Sequence, residues 1–181
     1  MSNLQAVPDD VDPTRPPGLD EHGDVLQSQA AAVNEMDPDI ADYWDLWSAQ
    51  IGQAVLPQLE ELSSQLNGLT SAMVCTSDGF NLCSIGLDEH QVARLSALAS
   101  SLYSVSGAAS HVAQAPGAQN GILDVVSLHQ GASQTVIVSV SGLIVGNLLL
   151  WVTAEDETLG VMLVAAKASA RELHALLAAD P

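Results

Sequence analysis

The sequence is poor in cations, aromatics and cysteine. Four of its 181 residues are basic (Arg15, Arg94, Lys167 and Arg171) against 22 Asp and Glu, giving a formal net charge of −18. So few cations cannot neutralise a phosphate backbone, and the field of the whole molecule repels one. Nucleic acid, anionic membrane and nucleotide phosphates are therefore poor ligands, whereas a basic protein surface is a good one. Two cysteines, Cys75 and Cys83, are too few for a disulfide scaffold. Residues 1–10 carry neither a basic nor an apolar region of a secretory signal. Both features point to a cytoplasmic protein. With aromatics at 3% and hydrophobic residues at 48%, a core must be built from Ala, Val, Leu and Ile.

Catalytic signatures are also missing. Lys167, the one lysine, follows no Gly-rich turn, so there is no phosphate-cradling loop, and neither G-x-S-x-G nor H-E-x-x-H occurs. His111 and His129 have no Ser, Cys or carboxylate at a recognisable spacing. Cys75 and Cys83, on the two strands of one expected hairpin, could face each other, but the histidines show no metal-ligand spacing to them. They read as buried structural thiols. Glu155, Asp156 and Glu157 read as a solvated cluster at a helix start. The chain is not expected to be an enzyme or to hold a cofactor or metal.

One stretch is long and uncharged, residues 125–154. A spanning helix needs about 20 apolar residues. This run is β-branched (Val136, Ile137, Val138, Val140, Ile144, Val145), is broken by Ser141-Gly142 and lacks basic flanks. It reads as two buried strands around a turn, with no membrane insertion.

Residues 1–48 hold 11 acidic residues and one basic residue, with five prolines and no apolar period up to residue 38. They are expected to be a mostly disordered acidic extension to a domain at 49–181. Three of the six aromatics, Tyr43, Trp44 and Trp47, fall within five residues. Trp44, Trp47, Ile51 and Val55 share one helical face. The tryptophans either pack back onto the domain or, with Tyr43, form an acidic-aromatic docking segment near residues 42–55.

Pro57 is expected to start or kink a second helical segment, 56–66, closed by Asn67-Gly68. A hairpin follows, with strands at 71–76 and 80–85 around Ser77-Asp78-Gly79. Asp88 can cap the next helix, 89–114. That helix has two stripes. Leu95, Leu98, Leu102, Val105, Ala109 and Val112 form a greasy one, expected to face the sheet. Ala93, Ala97, Ser100, Ser104, Gly107 and His111 form a small, smooth one on the other side. A helix covering a sheet on one side only carries charge on the other. Here the second stripe has none, so burial against a second copy is the economical reading. Three strands (122–129, 134–140 and 143–153) and a helix at 159–177, capped by Asp156 or Thr158, complete the chain.

This order resembles the Roadblock family of dynein light chain-type domains over residues 56–177. The resemblance rests on Ala72-Met73-Val74-Cys75-Thr76-Ser77-Asp78-Gly79 as a strand entering an Asp-Gly turn. Gly121-Ile122-Leu123-Asp124-Val125-Val126 serves as the middle strand, and Leu159-Gly160-Val161-Met162-Leu163 opens the last helix. It implies an α/β (α+β) fold: a five-stranded antiparallel sheet, with the long helix on one face and the terminal helices on the other. It also implies a homodimer through the long helix (Ala93, Ala97, Ser100, Ser104, Gly107) and an edge strand (Ile122, Asp124, Val126). A small Ras-like GTPase or related signalling protein is the implied partner of a non-enzymatic scaffold. The acidic extension departs from compact bacterial members and leaves two alternatives: an adaptor docking through Tyr43, Trp44 and Trp47, or a cytoplasmic ligand sensor.

Overall fold

The computed structural model describes residues 43–113 and 124–178. Expectations for residues 1–42, and for Ile122, lie outside the described residues. The elements run α1 (Trp44–Gln65), β1 (Leu69–Thr76), β2 (Asn81–Ile85), α2 (Glu89–Ala113), β3 (Val125–Gln130), β4 (Ser133–Leu143), β5 (Gly146–Glu155) and α3 (Leu159–Ala178). The five strands form one antiparallel sheet in the order β2-β1-β5-β4-β3. Helices α1 and α3 cover one face and α2 the other. This is the fold class expected from the sequence.

Strand alternation sorts the core into two layers. On the α1/α3 side lie Val74, Val136, Val138, Leu148, Leu150 and Val152, against Val55, Leu59 and Leu62 of α1 and Met162, Ala166 and Leu173 of α3. On the α2 side the buried set is much smaller, with Met73, Cys75, Ile137, Leu149 and Trp151 against Ala99. The central strands β1, β5 and β4 are therefore apolar on both faces, which is why residues 125–154 look almost membrane-like in sequence. No helix among the described residues is long and apolar enough to cross a membrane.

Local geometry follows the residues that demand it. Gln91 N–H donates to Asp88 Oδ1 (2.8 Å) and Asp88 N–H to Gln91 Oε1 (2.9 Å), a reciprocal capping box that starts α2. Thr158 rather than Asp156 caps α3, its Oγ1 accepting from Val161 N–H. Gly79, in the β1–β2 turn, takes φ +90°, a left-handed value suited to glycine. Gly52 lets α1 close on β2, since a Cβ there would sit 2.3 Å from the Leu82 carbonyl oxygen.

Four local expectations are corrected. Pro57 does not start a second helix; it lies inside the single helix α1. Gln53, whose carbonyl loses its i+4 donor, and Pro57 are both exposed residues. Meanwhile Ile51, Val55, Leu59, Leu62 and Leu66 hold one buried stripe across the site. The β4–β5 turn is not Ser141-Gly142 but Ile144-Val145. The ladder extends to Leu143↔Gly146, with a register shift between Val140 and Leu143. Positive φ falls on Gly142 and Gly146, both +82°, so the first glycine serves a bulge rather than the turn. Burial of Leu143 and Val145 favours the longer hairpin.

Cys75 and Cys83 do not face each other. Cys83 pairs with Val74, and Cys75 with Asn81 across a register shift. Cys75 therefore belongs to the α2-side cluster, while Cys83 packs on the opposite one.

The fourth correction concerns α2. Its sheet-facing side is Leu95, Ser96, Ala99, Leu102 and Tyr103. At about 100° per residue this lies roughly a quarter turn from the centre of the expected greasy stripe. The sheet here presents bulky Met73, Leu149 and Trp151, so small Ser96 and Ala99 must meet them, and Ser96 Oγ donates to Met73 Sδ at 3.3 Å. Consequently Leu98, Val105 and Val112 remain 51%, 68% and 88% exposed.

Candidate interaction surfaces

Two surfaces stand out, one on each side of the sheet. On the α2 side a single helix of the described residues lies over five strands. Strands repeat about every 4.8 Å and packed helices about every 8–10 Å, so one helix covers about two strands. Leu98 and Val105 on α2, with half-exposed Leu128 on the edge strand β3, are left as apolar surface. An apolar surface on one face of a highly charged chain marks an interaction site more readily than scattered single residues would.

Of the expected dimer residues, Ala93, Ala97 and Ser104 are exposed on α2, while Ser100 and Gly107 are half-buried. The Ser100 hydroxyl donates to the Ser77 carbonyl and ties α2 to the β1–β2 turn. A Cβ on Gly107 would meet nothing within 4 Å. Val126 packs against the α2-side cluster and Asp124 is exposed just before β3. Sequence periodicity missed Leu98 and Val105 as surface residues, because it took the greasiest stripe for the inward one. The signal available was the bulk of Met73, Leu149 and Trp151 on the facing strands.

On the other side, α1 packs mainly on β2 and β1 and α3 mainly on β4 and β5, so no helix among the described residues lies above β3. The result is an open groove of about 850 Å³ beside α3. Val125, Val138 and Val140 form its apolar floor. Its α3 wall presents Val164, 72% exposed, followed by Lys167, Arg171 and His174 on one stripe. Asp124 is the one carboxylate among the described residues that line it.

At the start of α1, Trp44 is half-buried on the core, its ring centroid 6.1 Å from that of Phe80. Trp47 (36%) and Tyr43 (65%) remain exposed. The two alternatives for this segment thus divide among its residues: Trp44 packs back, while Tyr43 and Trp47 face water.

The thiols offer no reactive centre. Burial pushes Cys75 up to about 12, and Cys83 to about 11 despite a backbone hydrogen bond at Val74 that favours the thiolate. At neutral pH both are thiols, the unreactive form. Among the described residues no group of three or more His, Cys, Asp and Glu could hold a metal ion.

No protein-family model matches the sequence, and no curated protein does. Solved structures do match. The architecture, a helix-flanked five-stranded antiparallel sheet, is shared with a Roadblock/LC7 domain from Streptomyces avermitilis, at 21% identity and TM-score 0.57, covering 66% of this chain and 93% of that one. The gliding protein MglB from Thermus thermophilus aligns at 12% identity and TM-score 0.59, covering 72% and 93%. MglB from Myxococcus xanthus does so at 12% and 0.58, covering 69% and 88%. The chain has the Roadblock/LC7 fold.

Proposed function

We propose that this protein is a non-enzymatic regulatory scaffold, a homodimer that binds a small Ras-like GTPase or a related signalling protein. The observation that carries the reading is the exposed apolar side of α2 on a chain of net charge −18. A second α2, brought in by a second copy, would cover Leu98 and Val105 while the small residues Ala97 and Ser104 allow close approach. β3, an edge strand among the described residues, offers its outer side for pairing with its symmetry mate. Asp124 and Val126 then lie at the two-fold seam with Ala93 and Gly107. The GTPase partner rests on the resemblance to Roadblock domains and on the likeness to the gliding protein MglB.

Light scattering on the full chain, followed by binding to a small Ras-like GTPase loaded with GDP or with a non-hydrolysable GTP analogue, tests the proposal. A dimer with binding that depends on the nucleotide is expected. A monomer, or equal weak binding in both states and to unrelated proteins, overturns it. The exposure of Tyr43 and Trp47 supports a second reading, an adaptor that docks another protein through this segment. Tyr43→Ser with Trp47→Ser would abolish partner binding under that reading and leave it intact under the first.

A further inference from the structure

We propose that the groove beside α3 is a docking site for an acidic amphipathic helix of a partner protein. The chain has four basic residues, and two of them, Lys167 and Arg171, line this groove one helical turn apart, with His174 continuing the stripe. In a molecule of charge −18, that is the place where an anionic segment meets positive charge. The Debye length is about 8 Å at physiological ionic strength, so an occupant senses these cations more strongly than distant carboxylates.

The shape argues for a helix. Helices α1 and α3 lie side by side in one layer over β2, β1, β5 and β4, and none of the described residues forms a helix at the next position in that layer, over β3. Its floor of Val125, Val138 and Val140 offers apolar contact, and exposed Val164 continues this up the wall. A helix with one apolar face and Glu or Asp along the flank beside α3 satisfies both, its carboxylates reaching Lys167 and Arg171.

The stoichiometry rests on the dimer reading above. Pairing of β3 with its mate makes ten strands, about 48 Å across, with room for about five helices in this layer. Two copies of α1 and α3 fill four positions. The fifth is a single trough over the seam, walled on both sides by Lys167 and Arg171, so one docked helix per two chains is expected.

The test uses a fluorescein-labelled 18-residue designed helix with one Leu face and Glu on both flanks, titrated with the full chain at physiological salt. Net charge repels this probe, so saturable binding must arise locally. The expected result is saturable binding that weakens at least tenfold in Lys167→Glu/Arg171→Glu and in Val164→Asp. It should change less than twofold in Arg94→Glu, which alters net charge on the α2 side. A probe with its Leu face replaced by Ser should not bind. Failure to saturate by about 1 mM, or equal binding by all variants, overturns the proposal. Circular dichroism on the variants, whose changes are all at exposed positions, separates lost binding from lost fold. Light scattering on the same samples keeps the two proposals apart. A monomer binding one probe per chain through Lys167 and Arg171 retains the groove and rejects the dimer. A dimer indifferent to the probe retains the dimer and rejects the groove.

Discussion

Replacing Leu98 and Val105 together by Ser removes apolar surface from α2 while leaving its sheet-facing side intact. Leu98 is 51% and Val105 68% exposed in the protomer, so most of their burial is still outstanding. Full burial of such a side chain contributes about 1.5–3 kcal/mol, and the outstanding part is about 1 kcal/mol for each. A two-fold interface uses each residue twice, which makes about 4 kcal/mol per dimer. That weakens self-association about a thousandfold. Light scattering and sedimentation across a concentration series would read this as dissociation to monomers at micromolar protein. The protomer's own unfolding midpoint in urea should move little, because neither side chain is buried within it. A double variant that remains as tight a dimer as the parent would refute the placement of the interface on α2. A destabilised protomer would refute the description of these residues as surface.

Gly52→Ala places a Cβ 2.3 Å from the Leu82 carbonyl oxygen, which is backbone and cannot swing away. A loss of about 1–3 kcal/mol in urea unfolding is expected, and an unchanged midpoint would contradict the close approach of α1 to β2. Pro57→Ala should stabilise by about 1 kcal/mol or more, since it restores the missing N–H to Gln53 inside a continuous helix. A loss of stability would show that the ring packs. For Cys75 the folded thiol is raised to about 12 from 9.0. The unfolded chain releases that proton first, so this stabilisation is full below pH 9 and is lost as pH rises towards 12. Its slope is at most about 1.4 kcal/mol per pH unit. Cys75→Ala should flatten the fall between pH 9 and 11, measured by urea titration against the parent.

The sequence by itself determined the element order, the Asp-Gly hairpin, the Asp88 cap and the absence of recognisable catalytic signatures. Each of these depends on residues close together in the chain: a turn needs glycine at one φ, a cap needs one side chain within reach of the next turn, and strand burial appears as a β-branched run. The exposed state of Tyr43 and the half-buried state of Trp44 fall between the two readings that the spacing left open.

What only the tertiary structure decided concerns which face meets what. Periodicity identified two stripes on α2, but it carried no knowledge that Met73, Leu149 and Trp151 fill the facing layer, so the inward side was placed wrongly. Cys75 and Cys83 fell on opposite faces because one register shift changes every orientation after it. Pro57 stayed helical because a buried leucine stripe outweighs one lost hydrogen bond. The groove was illegible for the same reason. Val125 and Val138 are 42 and 29 residues distant in sequence from Lys167, and only the sheet order β2-β1-β5-β4-β3 places β3 at an edge, with no helix among the described residues above it.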